Sequence, residues 1–344
     1  MTDRIASPET GRLSAYLEDR LSSFKGPIEL RPFPAGRSNP TFLIKARSGF
    51  YVMRRQPAGT LLKSAHAVDR EYRVIEALGK TEFPVPRAFH LCRDVEVIGS
   101  LFYVMSYEEG RIFSYQHLPE IDVPSRLAFY KEMIRVLGLL HQFDYDQLGL
   151  SDYGKPGNYL SRQIERMTRQ YRASETETIP AMEQLMAWLS RQAPVEEEGG
   201  ISLVHGDFHF SNVVFQAAEP RIRAVLDWEL STLGNPLADL AYFCMGLRLP
   251  DSFVIRGLAG KDRRASGLPE EKQIIDLYVK NRHIGNIRHW SFYLAFAFFR
   301  LAAIVQGVKK RGLEGTASNR EEALHLGPIP GQLARMALEV IEKE

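Results

Sequence analysis

The chain has 344 residues, of which 44% are hydrophobic and 25% charged, and this composition excludes an intrinsically disordered protein, a collagen-like repeat and a disulfide scaffold. Its 44 Lys and Arg residues nearly balance 42 Asp and Glu residues, so the net charge of +2 indicates neither a nucleic acid nor a membrane as partner. Two cysteines, Cys92 and Cys244, lack a metal-binding spacing and favour a reducing compartment. Residues 1–9 contain no apolar signal segment, so we expect a cytoplasmic protein.

The first part of the chain is predicted to be rich in strands. In chain order, apolar spacing predicts a helix at 13–24 that ends before Gly26-Pro27, strands at 41–44 and 50–53, a helix at 65–78 and a hairpin at 95–106. A charged, glycine-containing hinge follows at 108–110. We therefore predict a first domain at residues 1–109 that consists of an N-terminal helix, a sheet and one further helix.

Helical periodicity dominates the remainder, residues 110–344. The pattern predicts a helix at 125–143 and a buried helix at 292–305, which is too short for the ~20 residues of a membrane span. Two short apolar runs, 201–205 and 222–228, are typical of strands and flank a turn near 219–220. The polar connector at 257–269 is long enough to form a lid. The predicted fold class is α+β with a helical second domain.

One loop and the strand-like run after it carry a pattern typical of phosphoryl transfer. Asp207 and Asn212 lie five positions apart, as the catalytic Asp and metal-binding Asn of kinases do, and Asp227 ends the next apolar run. Mg²⁺ prefers one or two carboxylates together with substrate phosphates, and a separate carboxylate is needed to receive the hydroxyl proton. We therefore predict Asp207 as the base and Asn212 and Asp227 as magnesium ligands. His205 is the second candidate catalytic residue, with a structural role in the loop favoured.

The strand at 50–53 should supply a cation for the phosphates. Arg54 follows Val52 on the same strand face, and Glu71 lies in the next predicted helix. An ion pair between Arg54 and Glu71 would orient the guanidinium, with a solvated surface pair as the plain alternative. Arg replaces the usual Lys at this position, and the neighbouring Arg55 is a rival on the opposite face.

The segments 36–42, 51–55, 65–72, 205–212 and 226–239 resemble a known family. They are similar to the aminoglycoside phosphotransferase-type small-molecule kinases, in the branch that resembles the kinase-like N-terminal domain of certain acyl-CoA dehydrogenases. The resemblance implies a bilobal, protein-kinase-like fold with ATP beneath the strand-rich lobe and a small-molecule hydroxyl acceptor in the helical lobe. It also implies that Asp239 supports the catalytic loop.

ATP should contact two further segments of the strand-rich lobe. We expect Gly36, Ser38 and Asn39 at the phosphates and backbone groups of 105–107 (Met105, Ser106 and Tyr107) at the adenine. Gly36 is alone in this loop, so the triple-glycine cradle of protein kinases is absent. Asn235 stands where the branch usually has Asp. No dehydrogenase domain follows, so we expect the kinase-like part to act alone.

The acceptor is predicted to be anionic. Arg300 interrupts an apolar helix and should meet a carboxylate, either of the protein or of a substrate, because an unpaired buried guanidinium is costly. Glu229 is a second candidate substrate residue, and the basic run 309–311 could meet phosphates of coenzyme A or complement the helix dipole. Together with the resemblance to the acyl-CoA dehydrogenase branch, these charges suggest a hydroxyacyl-CoA or a hydroxy acid as the acceptor.

Three other functions stay open. The first is an aminoglycoside-type antibiotic kinase, and the second is a catalytically degenerate nucleotide-binding module. The third is an Fe(II)/2-oxoacid oxygenase, in which His205, Asp207 and His289 would bind iron and Arg300 the oxoacid. Asn212, Asp227 and Glu71 would then have no role. Protein kinase activity is disfavoured because no Ala-Pro-Glu motif follows Asp227. The sequence makes no prediction of the oligomeric state.

Overall fold

The computed structural model describes residues 7–33, 39–57, 67–193, 198–253, 256–317 and 319–343. These residues form two compact units. The first unit comprises the described part of Met1–Ile112 together with Leu148–Leu150 and Asn212–Leu230, and the second comprises Phe113–Gln147, Ser151–Ser211 and Ser231–Glu344. The first unit thus extends past the limit expected at residue 109 and takes in two later segments of the chain.

The described residues form these helices and strands, in chain order. The elements are α1 (Ser7–Arg20), β1 (Glu29–Pro32), β2 (Thr41–Ala46), β3 (Gly49–Arg55), α2 (Val68–Leu78), β4 (Ala88–Cys92), β5 (Phe102–Ser106), α3 (Val123–Leu140), α4 (Tyr159–Ser174), α5 (Pro180–Gln192), β6 (Ser202–Val204), β7 (Val213–Phe215), β8 (Ile222–Val225), β9 (Thr232–Gly234), α6 (Pro236–Arg248), α7 (Glu271–Arg282), α8 (Trp290–Leu313), α9 (Arg320–His325) and α10 (Ile329–Glu342).

The first unit is built on an antiparallel sheet. Within its described residues, five strands pair in the order β1-β2-β3-β5-β4. Gly49 has a φ of +130°, which its missing side chain permits, and it allows β2 to turn into β3. Leu13 and Leu17 of α1 pack with Phe42 and Ile44 of β2 in one buried cluster. The register pairs Arg54 with Thr41 on one side and with Tyr103 on the other.

A second, two-stranded sheet in the first unit consists of β7 and β8, which pair antiparallel. Arg111 and Phe215 form an isolated bridge, in which each backbone N–H donates to the other's carbonyl at 2.8 Å. Val225 N–H donates to the carbonyl of Pro84 at 2.8 Å. These bonds fix the segment that follows β8, where Asp227 and a single turn of 3₁₀-helix at Trp228–Leu230 lie.

The second unit is mostly helical. Helix α8 packs against α4, α5, α6, α9 and α10, and its burial explains its almost continuous apolar sequence. By length and composition this one helix of the described residues could cross a membrane, but 89% of its most apolar window is buried inside the protein. Strands β6 and β9 pair antiparallel beside these helices.

Several predicted boundaries differ from the structure. Helix α1 ends at Arg20 because Phe24 fills the core from a turn, with its N–H bonded to the carbonyl of Leu21 at 2.9 Å. The predicted hairpin at 95–106 is wrong in its first strand. The strand that pairs with β5 is β4, which ends at Cys92. Val97 and Ile98 belong to the connecting turn, and their burial against the sheet explains their strand-like apolar pattern.

Two connecting segments also differ from the sequence-based expectation. The turn near 219–220 joins β7 to β8, so the two apolar runs expected as strands pair with partners that the sequence did not indicate. The segment at 257–269, long enough for a lid, packs on the helical unit through the buried Leu258 and Leu268. Ala259 N–H donates to the carbonyl of Leu249, and Arg263 Nη2 donates to that of Leu247, both at 3.0 Å.

Candidate active site

Arg54 lies at the centre of an ionic cluster in the first unit. Its Nε is 3.1 Å from Glu71 Oε2, and its Nη2 is 2.7 Å from Asp227 Oδ1 and 3.3 Å from Glu229 Oε2. Strand β3 supplies the guanidinium, α2 supplies Glu71, and the segment after β8 supplies the other two carboxylates. The ion pair expected between Arg54 and Glu71 is therefore present and buried, with 11% and 1% of the side chains exposed.

Glu71 is held from two further sides. Asn39 Nδ2 donates to Oε1 at 2.7 Å, and the hydroxyl of Tyr103 donates to Oε2 at 3.0 Å. Asn39 is only 1% exposed, so in this structure it binds the carboxylate of Glu71, whereas the sequence suggested a contact with phosphates. Sequence reasoning missed Tyr103, although its pairing with Arg54 across β3 and β5 explains the contact. Gly36 and Ser38 lie outside the described residues.

The cluster contains more carboxylates than cations. Burial acts to lower the pKa of Arg54, but Glu71, Asp227 and Glu229 outweigh it, so the pKa is raised and the guanidinium stays charged. Burial raises the pKa of Glu71 to about 7, because the nearby Arg54 offsets only part of the desolvation.

A pocket of about 180 Å³ borders this cluster within the first unit. Its walls combine an apolar slot with charged groups at one side, formed by Phe33, Thr41, Val52, Arg54, Met105, Ser106, Tyr107, Glu108, Ile112, Val214, Leu226 and Asp227. The residues expected at adenine, 105–107, all line it, as does Arg54. The apolar contribution of Val214 and Leu226 was not predicted, because it depends on the position of the β7-β8 hairpin.

Glu108 is a charged wall of the pocket that the sequence did not single out. Its carboxylate accepts hydrogen bonds from the Ser106 hydroxyl and from Arg223 Nε, the latter at 2.9 Å. These contacts fix the chain that leaves β5. Gly110 is fixed as well, because a Cβ there would lie 2.1 Å from the carbonyl oxygen of Phe215. The predicted hinge at 108–110 is thus closely packed.

Both residues expected as magnesium ligands, Asn212 and Asp227, lie in the first unit. The carbonyl of Asn212 accepts a hydrogen bond from the N–H of Leu226 at 2.8 Å, next to Asp227. Asp227 has a φ of +63° and a side chain that is 33% exposed, and it lines the pocket. Non-glycine residues in this left-handed region concentrate at functional sites. One carboxylate and one amide fit a magnesium ion that takes its other ligands from phosphate and water.

The iron site of the oxygenase hypothesis is not formed by the described residues. In the described parts of the chain, no three His, Cys, Asp or Glu side chains come together in a way that could hold a metal. His289 stands at the N-cap position of α8 without a side-chain capping bond, and His205 is fully buried. The predicted oxygenase triad of His205, Asp207 and His289 is therefore not assembled.

The predicted catalytic loop lies in the second unit, and Asp239 of α6 holds its backbone. Asp239 Oδ2 accepts from the N–H of His205 at 2.6 Å, and Oδ1 accepts from the N–H of Gly206 at 2.9 Å. His205 Nδ1 in turn accepts from the N–H of Asp207 at 3.1 Å. With no exposed surface, His205 stabilises the loop and does not reach solvent. This agrees with the structural role that the sequence favoured for it.

Asp207 is partly exposed and hydrogen-bonded. Its side chain is 27% exposed, with Oδ2 3.3 Å from His209 Nε2, and the hydroxyl of Tyr242 donates to its carboxylate. Burial acts to raise the pKa of Asp207, but the bonds from His209 and Tyr242 outweigh it and hold the pKa well below its usual range. Asp207 is therefore an ionised acceptor at neutral pH.

Of the two partners left open for Arg300, a carboxylate of the protein is not found among the described residues, and Arg300 contacts other groups. Arg300 donates to the carbonyl of Gly206, and its guanidinium carbon lies 5.3 Å from the ring centroid of Tyr242. A backbone carbonyl and an aromatic face thus take the place of the carboxylate. Lys309 and Lys310, of the basic run, contact Glu177 Oε1 at 2.5 Å and the carbonyl of Ala173 at 2.8 Å.

Comparison with known proteins identifies the family. The model of the phosphotransferase enzyme family, APH, matches residues 29–272. The chain belongs to the APH phosphotransferase family. A protein of Ralstonia eutropha, named as an aminoglycoside phosphotransferase, is 44% identical with a TM-score of 0.88, and the match covers 97% of this chain and 98% of that one. The bilobal, protein-kinase-like α+β fold predicted from the sequence is confirmed.

The expected branch of the APH family is confirmed as well. Acyl-CoA dehydrogenase family member 10 of Mus musculus is 42% identical over 334 residues, which cover 96% of this chain and 31% of the mouse protein. The chain spans less than half the length of the curated relatives that it matches. A spectinomycin phosphotransferase, solved with ADP and spectinomycin, shares the fold at 12% identity, with a TM-score of 0.63 over 96% of this chain and 98% of that one. The family is one of enzymes that transfer phosphate to small molecules.

Proposed function

We propose that this protein is an ATP- and Mg²⁺-dependent phosphotransferase that acts on a hydroxyl group of a small metabolite. The observation that carries the proposal is the pocket of the first unit, whose wall holds both Arg54 and Asp227 beside an apolar slot. The slot suits a purine base, and a guanidinium next to a carboxylate suits a phosphate chain with its metal. The ADP in the spectinomycin phosphotransferase supports a nucleotide as donor.

Each proposed role follows from a side chain's contacts. Arg54, oriented by Glu71, holds phosphate oxygens, while backbone groups of 105–107 contact adenine. Asn212 and Asp227 would hold Mg²⁺, which neutralises charge on the phosphates when it is bound. Asp207 orients the acceptor hydroxyl and receives its proton.

The acceptor in this proposal is an anionic metabolite, a hydroxyacyl-CoA or a hydroxy acid. The names of the relatives support the acyl-CoA class, since the matched proteins are called acyl-CoA dehydrogenase family members. Arg300 supports it less than the sequence suggested, because it is 5% exposed and bonds to the loop. We place the enzyme in the cytoplasm, which its two free, buried cysteines support.

The first test is a calorimetric titration of the purified protein with ATP, in Mg²⁺ and then in EDTA. We expect binding that needs Mg²⁺ and weakens in Asp227→Ala, because this variant loses the only proposed carboxylate ligand of the metal. If the unaltered protein binds no ATP in either Mg²⁺ or EDTA, the proposal is contradicted and a catalytically degenerate module is favoured.

The second test separates chemistry from binding. Asp207→Asn should lower kcat by a factor of about 10² to 10⁴ and leave the Kd for ATP unchanged, because only the proton acceptor is lost. Hydroxyacyl-CoAs, hydroxy acids and aminoglycosides would be compared as acceptors by ATP consumption. Consumption with aminoglycosides alone would identify the antibiotic kinase instead.

A further inference from the structure

We propose that Tyr242 and Arg300 are positioning residues for Asp207: Tyr242 fixes the carboxylate, and Arg300 fixes both the Tyr242 ring and the carbonyl that precedes Asp207. The inference rests on the proposed function, because Asp207 is the proposed proton acceptor. It also gives Arg300 a role different from substrate binding. All of the contacts lie within the second unit.

Tyr242 is held rigidly. It is 8% exposed and lies on α6, whose residues are all buried except Arg248. Burial and the charge of Asp207 raise the pKa of Tyr242 well above its usual value, so the phenol keeps its proton and always donates. A fixed donor stabilises the ionised carboxylate in one rotamer. Buried hydrogen bonds to an ion are stronger than those between neutral groups.

Arg300, which lies on α8, contacts the same loop. It is 5% exposed, its guanidinium stacks over the Tyr242 ring, and it donates to the Gly206 carbonyl. The N–H of Gly206 is already bonded to Asp239, so the peptide groups on both sides of Gly206 are anchored. Gly206 has a φ of +84°, which makes its conformation one that few other residues adopt.

Together these contacts restrain Asp207 at the backbone and at the side chain. The charged or titratable groups that act on it are His205, His209 and Tyr242, and Arg300 and Asp239 act on Tyr242. His209 is 25% exposed and approaches Asp207 from the solvent side, whereas Tyr242 approaches from the core. A proton acceptor held within a fraction of an ångström is what positional catalysis requires.

The test removes only the Tyr242 hydroxyl. In Tyr242→Phe, we expect MgATP turnover with water as acceptor to fall by about 10- to 100-fold in kcat, with the Kd for ATP unchanged. The pH below which kcat declines should rise by about one unit, because the carboxylate loses a donor that favours its charged form. The matched control is Tyr153→Phe, which removes a buried hydroxyl that lies 2.7 Å from Ser231 Oγ.

Arg300 is tested by two variants. Arg300→Met removes the charge and both contacts, and should resemble Tyr242→Phe in its pH profile. Arg300→Lys keeps a cation near the ring and should restore part of kcat. Equal activity in Met and Lys variants, with an unmoved pH profile, would overturn the role of Arg300.

A second readout does not depend on turnover. The Asp207 carboxyl carbon can be observed by NMR in protein labelled with ¹³C at Asp Cγ and assigned with Asp207→Asn. We expect no titration between pH 7 and about 3.5 in the unaltered protein, and a titration that begins about one pH unit higher in Tyr242→Phe. An unchanged carboxyl signal would overturn the inference. Absence of any phosphate transfer together with a changed signal would instead contradict the proposed function and leave the positioning role supported.

Discussion

Arg54 Nη2 and Asp227 Oδ1 lie 2.7 Å apart, so the proposed phosphate-binding cation and the proposed magnesium ligand are direct neighbours. The same guanidinium contacts Glu71 through Nε. A planar group with several donors can serve two carboxylates at once, and a single ammonium cannot do so with the same geometry. This difference leads to a prediction about the unusual Arg at this strand position.

Arg54→Lys should weaken ATP binding about tenfold, roughly 1.4 kcal/mol, because the ammonium cannot keep both carboxylate contacts while it binds phosphate. Calorimetry with MgATP measures the change. Arg55→Lys is the matched control, since the Arg55 guanidinium lies over the Phe42 ring, 5.7 Å from its centroid. An equal loss in both variants would show that the Arg54 cluster has no special role.

Gly110 lies where a larger side chain should destabilise the protein. Gly110→Ala should lower the free energy of unfolding by about 1–3 kcal/mol, because overpacking forces the backbone to move. The added Cβ would lie 2.1 Å from the Phe215 carbonyl oxygen and 2.6 Å from Val214 Cγ1. Urea unfolding measures the change. Gly285→Ala should be nearly neutral, because no atom of the described residues other than its chain neighbours lies within 4 Å of the added Cβ.

Asn235 occupies a position where the related branch usually has Asp. Its Oδ1 accepts from the N–H of Leu237 at 2.8 Å, and its Nδ2 donates to the carbonyl of Glu198 at 2.9 Å. Asn235→Asp keeps the helix cap but places a carboxylate oxygen against that carbonyl in a fully buried site. We expect a loss of about 1–3 kcal/mol in urea unfolding at pH 7. A gain in stability would mean that the helix dipole outweighs the lost donor.

The buried His141 should make the free energy of unfolding depend on pH. Burial lowers the pKa of His141, and the bond to Asp239 offsets only part of this effect, so the folded protein favours the neutral ring. Nδ1 then accepts from the Tyr278 hydroxyl at 2.7 Å, and Nε2 faces Asp239 at 3.4 Å. The unfolded chain takes up a proton near pH 6.5, so this stabilisation is complete above that pH and is lost as the pH falls below it.

The measurement is the free energy of unfolding in urea at pH 7.5 and 5.5. The unaltered protein should lose up to about 1.4 kcal/mol per pH unit below pH 6.5 through this residue, and His141→Asn should flatten the profile. His325→Asn, a change at an exposed histidine of α9, is the control and should leave the slope unchanged. Parallel profiles for all three proteins would contradict the assignment.

The sequence predicted the parts of the site that depend on local spacing. The interval from Asp207 to Asn212, the alternation along β3 and the helical stripe that carries Glu71 are all short-range patterns. They were sufficient to pair Arg54 with Glu71, whereas the expectation that 105–107 contact adenine came from the family resemblance.

Long-range contacts were not readable from the sequence. The hydroxyl of Tyr103 on Glu71, the apolar wall from Val214 and the stacking of Arg300 on Tyr242 depend on which elements become neighbours. Periodicity indicated that Arg300 was buried, but the nature of its partner depends on the fold around the Gly206 turn. The segment 95–100 was predicted as a strand although it is a turn. Its local apolar pattern is that of a strand, because Val97 and Ile98 are buried.

The burial of α6 bears on how this enzyme can acquire new substrates. Asn235, Asp239 and Tyr242 follow one another at intervals of 239 − 235 = 4 and 242 − 239 = 3 residues, so one helix face carries the cap, the loop support and the donor to Asp207. A mutation that shifts this helix alters all three at once. Selection for a different acceptor is therefore expected to leave α6 unchanged and to act on exposed connectors, which makes them the places to randomise in a directed-evolution library.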